Sequence, residues 1–113
     1  NSYFNLRDFE KAEKYYKDYS GGNTLLQVSS AAGLASVFEA KNNFSDAAKQ
    51  FEKAANIDKE NPFVDQYLFY AGKNYIRADK PDDAKKIFNR IKEDFPKSKY
   101  IAESERYKSS INQ

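Results

Sequence analysis

One spacing recurs three times along this chain and restricts its fold more than any other feature. Phe9, Ala12, Tyr16 and Tyr19 stand at i, i+3, i+7 and i+10. Phe44, Ala47, Phe51 and Ala54 repeat the interval, and so do Pro81, Ala84, Phe88 and Ile91. The first three positions of each set run large, small, large, apart from the proline that opens the third. Intervals of three and four put all four side chains on one helical face. The alanines Ala12, Ala47 and Ala84 lie 35 and 37 residues apart. A self-similar period of this length is the signature of a stacked helical array, in which no single unit can bury its own apolar face.

Three further segments read as the first helices of pairs whose second helices carry the ladder. They are 24–41, 62–78 and the short run 1–6, which reads as a helix tail. Asn61 is expected to cap the second of these, with Pro62 at the first helical position. The expected order is a helix tail at 1–6 and helices at 9–19, 24–41, 44–57, 62–78, 81–94 and about 98–111. Short turns at Leu6-Arg7-Asp8, Lys41-Asn42-Asn43 and Ala78-Asp79-Lys80 favour antiparallel neighbours. Ser20-Gly21-Gly22-Asn23, Lys59-Glu60-Asn61 and Phe95-Pro96-Lys97 separate the pairs. No segment sustains the two-residue alternation of a strand.

Composition agrees with a thin, all-α object. Hydrophobic residues make up 40% of the 113 and charged residues 32%, so surface is large relative to core. The net charge of +2 is unevenly placed: residues 1–72 hold 8 basic and 10 acidic side chains, and residues 73–113 hold 11 and 7. Most lysines alternate with acids, as on solvated helix faces. Of the nine tyrosines and nine phenylalanines, those in the ladder have core positions, which argues against nucleic acid as a partner. No apolar run reaches the ~20 residues of a membrane span. The chain starts at Asn1 and has no methionine. The expectation is therefore a processed chain or a piece of a longer one, with any targeting or anchoring segment before Asn1.

Catalysis is not expected. Without histidine or cysteine, the commonest nucleophile–base pairs and most zinc sites have no residues to draw on. Asp82 and Asp83 open a helix, where negative charge complements exposed amides. Gly21-Gly22 lacks the lysine and hydroxyl of a phosphate loop. No cofactor or metal site is expected.

The pattern resembles the tetratricopeptide repeat family. Ala31, Leu34, Ala35, Phe38, Phe44, Ala47, Phe51 and Ala54 follow one unit of that family. Leu68, Ala71, Gly72, Tyr75, Pro81, Ala84, Phe88, Ile91 and Pro96 follow the next. The family's tryptophan is missing, Tyr19 and Ile91 replace an alanine, and Lys59 stands where proline is common. The resemblance implies a single domain over 1–113, built as a right-handed superhelix of antiparallel helix pairs. Its parts would be a partial repeat (1–23), two repeats (24–61 and 62–97) and a capping helix (98–113). The run FNRIKEDFPKSKYIAESERY also resembles bacterial cell-envelope repeat proteins, some with a membrane anchor. That likeness implies an envelope or periplasmic setting linked to secretion or chaperone partners.

Such an array binds proteins or peptides on its concave side, lined by the first helices of the pairs. Helical spacing assigns that face Ser29, Ala32, Ser36 and Glu39 from one helix and Gln66, Phe69, Tyr70, Lys73 and Arg77 from the other. The expected ligand is an extended or helical peptide with a carboxylate. Lys73 and Arg77 would take the acid, and Phe69 would be the apolar anchor. The alternative is a structural module that self-associates through an aromatic end at Tyr3, Phe4 and Leu6.

Overall fold

The computed structural model describes residues 24–111. The expectations for 1–23, including the helix at 9–19 and the aromatic end, lie outside the described residues. The described chain holds five helices and no strand: α1 (Thr24–Ala40), α2 (Phe44–Ile57), α3 (Val64–Arg77), α4 (Pro81–Asp94) and α5 (Ile101–Ile111). Each packs on the next in chain order. This is the consecutive helix-on-helix stacking of a tetratricopeptide-type helical repeat.

The described ladder residues form the core, except Phe44, which is half-buried, and Pro81, which is exposed. Ala47, Ala54, Ala84, Phe88 and Ile91 have no exposed surface, and Phe51 has almost none. The alanines leave notches in α2 and α4 where neighbouring helices approach, and the rings fill the space beside them. The main cluster runs from Ala35 in α1 through Phe51, Leu68 and Phe69 to Phe88 and Ile91, and Tyr100, just before α5, with Ile101 and Tyr107 of α5, packs against it. Gly72 shows how tight the fit is. A Cβ there would stand 2.7 Å from Cζ of Phe88 and 2.9 Å from Cδ1, inside any carbon–carbon contact distance.

The same turn closes both helix pairs. Asn42 N–H donates to the Glu39 carbonyl and Asn43 N–H to that of Phe38; Asp79 N–H donates to Ile76 and Lys80 N–H to Tyr75. These are paired Schellman closures. Each needs a left-handed residue, supplied by Asn42 at φ 63° and Asp79 at φ 61°. Asparagine and aspartate tolerate that region better than other non-glycine residues. The two turns stand 37 residues apart, the interval that also separates Ala47 from Ala84 and Ala35 from Gly72.

Two helix starts differ from expectation. α3 begins at Val64, not Pro62. The Asn61 side chain accepts the Phe63 N–H at 2.8 Å, an Asx turn that spends the expected cap two residues early. α5 begins at Ile101 rather than near 98, because Ser98 is used as a tie. Its hydroxyl donates to Asp65 Oδ2 at 2.7 Å and accepts the Tyr100 N–H at 3.1 Å. That fastens the α4–α5 connection to the first turn of α3. α4 begins at Pro81 as expected, with Asp82 and Asp83 in its first turn.

Candidate functional site

Between α1 and α3 lies a cleft of about 420 Å³, lined by Ala32, Ser36, Glu39, Phe51, Tyr67, Tyr70, Lys73, Asn74 and Arg77. Small residues of α1 form one wall. Ser36 turns its hydroxyl back to the Ala32 carbonyl at 3.2 Å, so it presents little polarity. Aromatic faces form the other: Phe51 meets Tyr70 edge to face with centroids 5.4 Å apart. Tyr70 is steadied by Gln66, whose Nε2 donates to its hydroxyl at 2.8 Å. Burial raises the Tyr67 hydroxyl above its ordinary pKa, so it stays a neutral donor and acceptor at physiological pH.

Charge is arranged unevenly. The Lys73 ammonium lies 5.5 Å from the Phe69 ring centroid and 5.8 Å from that of Tyr70. It makes no ion pair with the described residues. Arg77 is engaged: its Nη1 is 3.4 Å from Glu39 Oε2, and its guanidinium lies 5.6 Å from the Phe44 ring centroid.

Glu39 is held chiefly by Asn74. Asn74 is 1% exposed, and its Nδ2 donates at 2.9 Å to both Glu39 Oε2 and the Tyr70 carbonyl. Both acceptors demand N–H, so the amide can face only one way. Its Oδ1 is buried and has no partner among the described residues. A hydrogen bond to a charged group contributes about 1.5–3 kcal/mol, and an exposed ion pair about 0–1 kcal/mol. With Arg77 and Glu39 side chains 46% and 36% exposed, the amide outweighs the guanidinium as the anchor of this carboxylate.

Six of the nine residues expected on the concave face meet here: Ala32, Ser36, Glu39, Tyr70, Lys73 and Arg77. Ser29 is exposed on α1 but does not line the cleft, and Gln66 acts on it through Tyr70. Phe69 requires a correction. It is 3% exposed and stacks on Tyr100 with centroids 4.8 Å apart, with Phe88 and Tyr107 at 6.1 and 6.0 Å. It is core beneath α5 and cannot anchor a ligand. Helical spacing puts Phe69 at the edge of this face, where Tyr100 and Tyr107 cover it. Phe51, Tyr67 and Asn74 complete the lining and were missed. Tyr67, Tyr70, Asn74 and Arg77 follow the i, i+3, i+7, i+10 interval of the core ladder, and that interval applied to α3 would have found them.

Stacked helix pairs closed by matching turns, with a cleft between successive first helices, define a helical-repeat scaffold. Residues 66–98, spanning α3 from its first turn, α4 and the turn to Ser98, match the family model of the tetratricopeptide repeat. No curated protein and no solved structure matches the chain. A tetratricopeptide repeat supports a general role as a protein–protein interaction scaffold. Among the described residues, no group of acidic side chains could hold a metal ion, and no helix is long and apolar enough to cross a membrane.

Proposed function

We infer that the chain is a non-catalytic adaptor whose α1–α3 cleft takes a peptide segment of a partner protein through a carboxylate on Lys73. The observation that carries this reading is the Lys73 ammonium itself. It lies over aromatic faces at a cleft, without an anionic partner among the described residues, and next to a second cation at Arg77. A carboxylate there gains charge attraction in a partly desolvated place, and the Tyr67 and Tyr70 faces accept apolar neighbours. The repeat division that goes with this reading is 24–61 and 62–97, with 98–113 as the cap.

The test is binding of synthetic peptides with a free C-terminal carboxylate, followed by fluorescence anisotropy. The double change Lys73→Glu, Arg77→Glu is expected to weaken binding at least tenfold; unchanged affinity would sink the reading. A cell-envelope setting, with an anchor outside this segment, is the companion proposal. It is supported by the likeness of the run Phe88–Tyr107 to envelope repeat proteins. Fractionation of cells carrying the full-length protein tests it: recovery wholly in the soluble cytoplasm would exclude it.

A further inference from the structure

The cleft has two ends of opposite character, and the division is built in. At one end Glu39 is fixed by Asn74, whose two amide hydrogens are both committed, one to Glu39 and one to the Tyr70 carbonyl. Pulling Glu39 away would strand a buried N–H, so the carboxylate stays where it is. The Asn74 Oδ1 is buried and has no partner among the described residues. Arg77 is already matched by Glu39. One helical position before Asn74, Lys73 is the cleft cation left without a carboxylate among the described residues.

We propose that Glu39 is the specificity-determining residue of this cleft, selecting a mixed-charge peptide: one carboxylate for Lys73 and a lysine or arginine side chain for Glu39. This rests on the reading of the cleft as a peptide site and sharpens it. A segment with two or more acids meets Lys73 with one and is repelled by Glu39 with the next. A segment pairing an acid with a base finds both complements. The burial of Asn74 makes sense on this account. An asparagine with an unsatisfied oxygen is a poor choice for core packing alone, but it is a rigid mount for a carboxylate that has to stay in place.

The probes are N-acetylated octapeptides ending in a free carboxylate, with lysine, glutamine or glutamate placed two, three or four residues before the end. For the wild-type chain, the best lysine peptide is expected to bind about tenfold tighter than its glutamate counterpart, equivalent to about 1.4 kcal/mol. Glu39→Gln keeps an oxygen for the Asn74 amide and removes the charge. In that variant the preference should shrink to within about twofold. Lys73→Ala should weaken every probe and leave the lysine-over-glutamate order intact. A preference that persists in Glu39→Gln, or a wild type that favours glutamate, overturns the inference while leaving the cleft a peptide site. Probes that bind with no dependence on Lys73, or that do not bind at all, overturn the peptide-site reading and this inference with it.

Discussion

Gly72 of α3 lies directly against the ring of Phe88 of α4, so close that a Cβ at Gly72 would stand 2.7 Å from Cζ. The ring cannot yield. Phe88 is fully buried and stacks on Tyr107 with centroids 5.8 Å apart and planes 14° from parallel. Gly72→Ala is therefore expected to destabilise the fold by about 1–3 kcal/mol through overpacking, outweighing the helix propensity gained. Phe88→Leu in the same chain should recover part of that loss. Urea denaturation of the two single variants and the double variant measures the coupling; additive effects would contradict the contact.

The left-handed turn residues predict the opposite sign. Glycine at Asn42 or Asp79 removes the Cβ penalty of that backbone region. Asp79→Gly is expected to hold or raise stability by up to about 1 kcal/mol. Asp79→Val should lower it by at least about 1 kcal/mol. Thermal melting separates the pair.

Asn74 separates stability from binding. Asn74→Leu removes the stranded Oδ1 and leaves a half-exposed Glu39 that water can solvate. Its cost should stay within about 1 kcal/mol of zero, while Glu39 loses its mount and the peptide selectivity fades. Asn74→Asp puts a second carboxylate against Glu39 and the Tyr70 carbonyl in a buried place, and should cost about 3–5 kcal/mol at neutral pH. Urea midpoints for the two variants check both figures.

Alkaline pH should loosen the α2–α3 contact. Tyr75 is 6% exposed, and its hydroxyl donates to Glu52 Oε1. Burial first, then that hydrogen bond and the charges of Glu52 and Asp83, push its pKa well above the ordinary value of 10.0. The protonated form is the one the fold favours. Its contribution is complete below pH 10 and is lost as pH rises from there toward the folded pKa, with a slope of at most about 1.4 kcal/mol per pH unit. Tyr67 acts in the same direction through burial. Tyr75→Phe should flatten the fall in urea midpoint between pH 9 and 11; an equally steep fall would exclude Tyr75 as its source.

The core was legible because its signals are local. Ala47, Phe51 and Ala54 carry their face in their spacing, and Pro81 marks a helix start by its own geometry. What escaped depends on partners distant in sequence or on competing turn chemistry. Asn74 reads as an ordinary solvated polar residue until Glu39, 35 positions earlier, is brought beside it. Asn61-Pro62 has the look of a cap and first residue, yet the Asn61 side chain takes the Phe63 N–H first. Phe69 lies at the edge of the face that carries Lys73, and spacing cannot show that a later segment covers it. Its true neighbours, Tyr100 just before α5 and Tyr107 within it, come from a segment that sequence spacing alone cannot dock.

Tyr100, just before α5, and Tyr107 within it turn rings inward over Phe69 and Phe88, and α5 turns Ala102, Glu103, Arg106, Ser109 and Ser110 to solvent. That asymmetry suits the proposed role of 98–113 as a cap and bears on where the scaffold can be lengthened. A duplicated 37-residue module spliced ahead of Asn61 would meet the notches and bulges it is shaped for. On the reading of 98–113 as a cap, the same module appended beyond α5 is expected to meet a largely polar face instead.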